Sequence, residues 1–504
     1  MDTNGASGLA GPFQPALPVP LAFKASADTS TAVCREPEIV GTLWHGGVMD
    51  TDQAEGADIA TAAVPAAAAP AVTRLGASEV NGWIAALVAI DRDVDDASRR
   101  DQIRALEDLK SAAAAAQALI SVDFDASQRR LQAEAGTPAA KLGLGIGKQI
   151  ALARRESPKR GCQHLGLAKI LTTEMPHTFA ALTAGLLTEW RATILVRETA
   201  CLRLEDRHAV DDELAADTGI LEGVGDEALG ALARGIAYRL DPHAALARAS
   251  KAEGDRYVSL RPAPDTMTYL TALLPVKTGV AVFAALSRAA DTLTAGGDPR
   301  LHHQIMADLL TQRITGNPAG PTRIEIQLVM TDRTLLQGDS EPAYLPGYGP
   351  VPAQQARNLA RDSGKANRGN RNDERTETWL RRLYTSPGAG ELIAMDAKSR
   401  LLPRALKRVI KTRDNTCRFP YCNAPIRHAD HVVPWRISHD TSEANAQGLC
   451  VACNQAKEAP GWSAQPRPGP RHTVEITTPT GHTYTSTAPP LPGSTLGGGE
   501  LTGS

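Results

Sequence analysis

The sequence predicts an α+β protein: a mostly helical N-terminal domain followed by a small, cysteine-stapled C-terminal domain. Three observations lead there. Apolar residues between Leu106 and Phe124 recur every three or four positions, the period of a helix face. Residues 257–261 and 267–274 read as strands, and residues 324–330 alternate in the manner of a half-buried one. Four of the seven cysteines fall in one short stretch, Cys417, Cys422, Cys450 and Cys453.

The bulk composition sets bounds. A chain of 504 residues exceeds one ordinary domain, so two or more folded units are expected. With 42% hydrophobic and 22% charged residues it reads as globular, and with 4% aromatics its core must rest on Ala, Leu, Val and Ile. A net charge of -2 excludes a uniformly basic nucleic-acid coat, so any such contact needs a local patch. The most apolar early run, residues 62–72, is short and broken by proline, so no membrane span is expected. No cationic segment precedes an apolar core at the N-terminus, so no signal peptide is read there. Sparse cysteines with one local cluster fit a reducing compartment, which places the protein in the cytoplasm.

The elements follow in order. Residues 1–74 are rich in Ala, Pro, Gly and Thr without a period and are expected to be disordered, with a small apolar cluster at Leu43, Trp44 and Val48. Residues 75–396 form the helix-rich domain. Leu106, Leu109, Ala113, Ala116, Ile120 and Phe124 line one helix face. Further helices are predicted over residues 144–155, 165–171, 178–187 and 188–204, punctuated by Pro158 and Pro176. Residues 257–261 and 267–274 read as strands around a Pro-Ala-Pro-Asp turn. Helices at 278–293 and 301–312 and a half-buried strand at 324–330 come next. Residues 362–378 are a polar, charged loop, and 382–396 a hairpin. Residues 397–464 make the C-terminal module, and 465–504 a Pro/Thr/Gly-rich tail in which 474–477 and 483–486 can pair. The run Gly143-Leu144-Gly145-Ile146-Gly147-Lys148 looks like a phosphate loop, but its first Gly is one position late and Gln149 replaces Ser or Thr.

Cys417 and Cys422 enclose four residues, and Cys450 and Cys453 enclose two. Two such knuckles can present four thiolates to one structural zinc, which would supply folding energy to a module with little core. Cys34, Cys162 and Cys201 are isolated.

Between the knuckles run His428-Ala429-Asp430-His431-Val432-Val433-Pro434-Trp435 and Thr441-Ser442-Glu443-Ala444-Asn445, and then Cys453-Asn454-Gln455-Ala456-Lys457 up to Trp462. This stretch resembles the HNH endonuclease family. The resemblance implies a ββα-metal fold, a hairpin and a helix around one catalytic ion. It implies that Asp430 and Asn454 hold that ion, that His431 is the general base, and that Asn445 ties the connecting loop and so positions the histidine. An imidazole titrates near neutrality and can take a proton from water. The carboxylate and amide oxygens are hard donors, which suit Mg2+ or Mn2+. Adjacent strand residues face opposite ways, so a turn or bulge is expected to bring Asp430 and His431 to one site. Asn454 stands where many relatives carry His, and His428 where they often carry an acid. The region upstream resembles the domain of unknown function found ahead of HNH modules in bacterial proteins. Leu336-Gln337-Gly338-Asp339 and Leu345-Pro346-Gly347-Tyr348-Gly349-Pro350 carry that likeness.

Residues 397–436 hold ten Lys or Arg against Asp414 and Asp430 alone. Leu402, Leu406, Val409 and Ile410 step along a helix, and Arg404, Lys407, Arg408, Lys411 and Arg413 are expected to face phosphate from it. The sequence thus predicts a phosphodiester-cutting enzyme with nucleic acid, DNA foremost, as partner. Two other readings stay open: a zinc module that binds DNA without cutting, and an oligomeric interaction protein with an accessory nuclease.

Overall fold

A computed structural model of the chain describes residues 76–316, 328–365 and 402–493. The N-terminal stretch with Leu43, Trp44 and Val48, Cys34, the charged loop beyond residue 365 and the hairpin at 382–396 lie outside these residues. The helices are α1 (Ala77–Val88), α2 (Asp96–Glu134), α3 (Ile146–Ala153), α4 (Pro158–Glu174), α5 (Pro176–Thr183), α6 (Glu189–Glu198), α7 (Leu204–Ala215), α8 (Asp226–Leu240), α9 (Pro242–Gly254), α10 (Val276–Ala295), α11 (His302–Thr315), α12 (Ala353–Lys365), α13 (Arg404–Asp414), α14 (Trp435–Ser438) and α15 (Val451–Ala456). The strands are β1 (Tyr257–Pro262), β2 (Thr268–Leu273), β3 (Ala343–Leu345), β4 (Gly349–Val351), β5 (His428–His431), β6 (Ala446–Leu449), β7 (Ser463–Arg467), β8 (Thr473–Thr477) and β9 (Thr483–Thr487).

Capping chemistry starts many of these helices. Asp95, Ser157, Thr188 and Asp241 each accept a backbone N–H at the N-cap of α2, α4, α6 and α9. Pro158, Pro176 and Pro242 occupy first turns, where no N–H is missed. Buried Leu, Ile, Val and Ala from α2 and α4–α8 form the main core, with Leu171, Leu182, Leu195, Val210 and Leu229 inside it.

The face α2 buries is not the one its apolar period marks. Leu109 and Ile120 are exposed, whereas Ser111, Ala115, Asp125, Gln128 and Gln132 are buried. The polar groups on that face are paired. Asp125 binds Arg129 and Lys169, both at 2.8 Å. Gln149 donates to Gln128 at 3.2 Å, and Gln132 accepts the Gly143 N–H at 2.7 Å. Buried polar groups are tolerated on such terms.

The predicted β1–β2 hairpin is present, antiparallel, with Tyr257 opposite Leu273. Of the strand predicted at 324–330, residues 328–330 are described, and Val329 bridges to Tyr344. Near the C-terminus β8 pairs with β9 as the sequence allows, and β7 adds a third strand on the other side of β8. Pro466 in β7 sits on an edge strand, where its missing donor costs no ladder bond.

This sheet carries a pH-sensitive histidine. His472 is buried, its Nε2–H donates to the Ala444 carbonyl at 2.9 Å, and its Nδ1 has no partner among the described residues. Burial foremost, with nearby Arg413, pushes its pKa down to about 4. Its unfolded value is about 6.5. The folded state therefore favours neutral imidazole, so the stability is present above about pH 6.5 and is lost as pH falls toward 4. That loss should reach about 3 kcal/mol. Urea melts at pH 7 and pH 4 should show His472→Gln losing less stability than wild type; equal losses would rule His472 out as the sensor.

Candidate active site

β5 and β6 pair antiparallel, His428 opposite Leu449 and His431 opposite Ala446, and α15 follows β6 directly. The register is unbroken, so the expected bulge is absent. Asp430 reaches its neighbour another way. Its Oδ1 accepts the His431 backbone N–H at 2.8 Å and lies 3.8 Å from His431 Nδ1. Its Oδ2 pairs with Lys457 Nζ at 2.6 Å, and the same ammonium donates to the His431 carbonyl at 2.8 Å.

The His431 ring is buried, with Nε2 2.9 Å from the Thr441 hydroxyl. Burial holds its pKa below the ordinary histidine value, against the opposing pull of Asp430. The ring is thus kept neutral and able to accept a proton. Asn445 is buried and bridges the loop between β5 and β6. Its Oδ1 accepts the Val433 N–H at 2.8 Å, and its Nδ2 donates to the Val433 carbonyl at 3.1 Å and the Asp440 carbonyl at 2.9 Å. This amide ties both ends of the loop that carries Thr441 to the histidine, and Ser438 and Ser442 add further bonds within it.

Asn454 lies on α15, three residues before Lys457 and so on the same face. Its Oδ1 is buried and has no hydrogen-bond partner among the described residues. The Asp430 carboxylate and the Asn454 amide oxygen are both hard donors of the kind that hold a divalent ion. His428 and His439 are exposed; His439 stacks edge-on against Trp435.

The four cysteine Sγ atoms of Cys417, Cys422, Cys450 and Cys453 all lie within 4.8 Å of one another, with Cys422 and Cys450 3.9 Å apart. A tetrahedral zinc with Zn–S of about 2.3 Å places its sulfurs roughly 3.8 Å apart, so the cluster can bind zinc with little movement.

α13 presents Arg404, Lys407, Arg408 and Lys411 to solvent and packs Leu406 and Ile410 inward, in a cluster with the preceding Leu402. Arg413 departs from the expected phosphate-facing set. It is 2% exposed, pairs with Asp414 at 2.8 Å, and donates to the Ala446 carbonyl at 2.7 Å and the Glu443 carbonyl at 3.0 Å. Asp414 in turn accepts the Gly448 N–H at 2.7 Å. The pair fastens α13 to β6, and removing one partner of such a buried pair typically costs about 3–5 kcal/mol.

Residues 103–414 match the family described as domain of unknown function (DUF222). The chain belongs to that family. In it the DUF222 region is followed by an HNH endonuclease domain, matched over residues 417–459. No curated protein and no solved structure matches the chain. The HNH match spans β5, β6 and α15 with all four cysteines, while α13 closes the DUF222 match. The HNH match supports a nuclease of the HNH type for residues 417–459, a domain that implies nucleic acid as substrate. Among the described residues no helix is long and apolar enough to cross a membrane. Two residues with contacts in the site, Thr441 and Lys457, were quoted with the motif but given no role by sequence, because only the fold brings them to His431.

Proposed function

We propose that this chain is a metal-dependent HNH endonuclease that hydrolyses phosphodiester bonds in DNA, with a structural zinc in the four-cysteine cluster. The junction of Asp430, His431 and α15 carries this reading: a neutral, loop-anchored histidine beside a carboxylate, with the orphaned Asn454 Oδ1 on the facing helix. A buried amide oxygen without a partner is costly unless a cation takes it. Asp430 and Asn454 would hold Mg2+ or Mn2+. When bound, such an ion offsets charge developing on the phosphate and the leaving oxygen. His431 is the general base. With hydrogen on Nε2, the Thr441 oxygen accepts it and Nδ1 keeps the lone pair that takes a proton from water. Asn445 positions the ring through the loop.

One observation favours binding without cutting. The Lys457 ammonium already neutralises Asp430 Oδ2. A plasmid assay separates the two. Supercoiled DNA incubated with the protein and Mg2+ or Mn2+ should become nicked and linear, and EDTA should stop it. Tight binding with no nicking at any metal concentration would make the binding module the better description.

The exposed bases of α13 should supply non-specific affinity. Each phosphate contact adds about 0.9 to the slope of log affinity against log salt. Replacing Arg404, Lys407, Arg408 and Lys411 together with Gln should flatten that slope by roughly 3–4 if each contacts one phosphate. An unchanged slope would mean that this face is only solvated.

A further inference from the structure

The segment from Gly143 to Gln149 has no part in the site above, yet it is where the helical domain meets the cysteine cluster. Gly145 has φ +89, and a Cβ there would stand 2.7 Å from Trp462 Nε1, so the backbone approaches the indole as closely as only glycine allows. Thr480 Oγ1 donates to Gln149 Oε1 at 3.2 Å. Leu152 of α3 belongs to the same buried cluster as Cys417, Cys422 and Cys453.

Lys148 lies four residues before Leu152, on the same face of α3. It is 1% exposed, and its Nζ donates to the carbonyl of Ala452, which sits between Cys450 and Cys453. Among the described residues no carboxylate is within ion-pair range of it. One neutral carbonyl does not compensate a fully buried ammonium. Four thiolates around one divalent ion leave an excess of negative charge, and the lysine is aimed at the turn that holds two of them.

We propose that Lys148 is the counter-charge of the tetrathiolate centre, delivered by the helical domain, and that it governs how firmly the ion is held. This rests on the zinc reading of the four cysteines. Binding converts thiols into an anionic cluster. A cation fixed beside it lowers the energy of the bound form, and in a dry interior that effect is large. Lys148 acts through the ligands and is a positioning residue.

The test uses full-length protein with Co2+ in place of zinc. The readouts are the thiolate-to-cobalt charge-transfer band and the rate of zinc loss to a coloured chelator. Lys148→Gln keeps a donor for Ala452 but removes the charge. Its band should move to lower energy, because the thiolate donor levels rise, and zinc should leave ~10-fold faster or more. Leu152→Ala removes packing from the same face but keeps the charge; it should lower the melting temperature and leave the band in place. A wild-type band and release rate in Lys148→Gln would overturn the proposal, and so would the same shift in Leu152→Ala. Should Lys148→Gln not fold, Lys148→Arg decides: a wild-type band supports the proposal and a band moved to lower energy overturns it. If wild-type protein takes up neither Co2+ nor zinc, the zinc reading itself has failed, and this proposal with it.

Discussion

Changing His431 to Ala should nearly abolish cutting while DNA affinity and zinc content stay close to wild type. A base acts on the proton that moves in the transition state and adds little to ground-state binding. Loss of a general base costs typically ~100- to 10,000-fold in rate. Asp430→Ala and Asn454→Ala should differ in kind. If they hold the ion, raising Mg2+ or Mn2+ should restore part of their activity, whereas no metal concentration should rescue His431→Ala. The pH profile adds a check. Burial lowers the His431 pKa, so the neutral base persists to lower pH and the acid limb of the wild-type profile should lie below the ordinary histidine range. Wild-type rates in His431→Ala across several metals and pH values would remove this residue from the chemistry.

Changing Cys450 to Ser should release the structural ion and unfold the HNH domain. Structural zinc sites contribute apparent binding energies of about 10–16 kcal/mol at neutral pH, more than the whole stability of an ordinary domain. The effect should centre on this domain and reach α3, whose Leu152 shares its core, but spare the main helical core. Cys417, Cys422 and Cys453 are themselves core residues of this domain, packed with Phe419, Val432 and Leu449, whereas Leu171, Leu195 and Leu229 belong to a separate core. Elemental analysis should find about one zinc per wild-type chain and none in Cys450→Ser. Limited proteolysis should open residues 417–460 while leaving α4–α8 protected. A variant with the wild-type digestion pattern, or wild-type protein purified without zinc, would count against the site.

How much of this was legible in sequence depended on whether each signal was local. The periods that located α3, α4, α10 and α11 are local, as are the β1–β2 hairpin and the two cysteine knuckles. α7 was missed because Val210 and Leu214 are sparse among acids, and its stability comes from packing. The buried face of α2 was misread because Asp125, Gln128 and Gln132 find partners on α3, α4 and the loop between α2 and α3, which no window of sequence contains. Arg413 looked like one more base in a basic run. Yet Leu406, Ile410 and Arg413 step by four and three along the apolar side of α13, and that spacing was a readable sign that it turns inward. For the candidate site, the Asp-His pair, Asn445 and Asn454 stand out in sequence through their resemblance to the HNH motif. Thr441 and Lys457 were not, since what they touch is set by tertiary packing.

The seat of α3 has a consequence for the order in which the chain matures. Lys148 meets Ala452 across 304 positions, and Gln149 meets Thr480 across 331. Contacts so distant close late. During synthesis the N-terminal helices fold first, at a stage when neither β6 nor the second cysteine pair has left the ribosome. A polypeptide stopped just after His431 carries Asp430 and His431 but lacks Asn445, Asn454, Cys450 and Cys453. On the proposed reading, a chain stopped before β6 and α15 would be unarmed, and cutting would await the second cysteine pair.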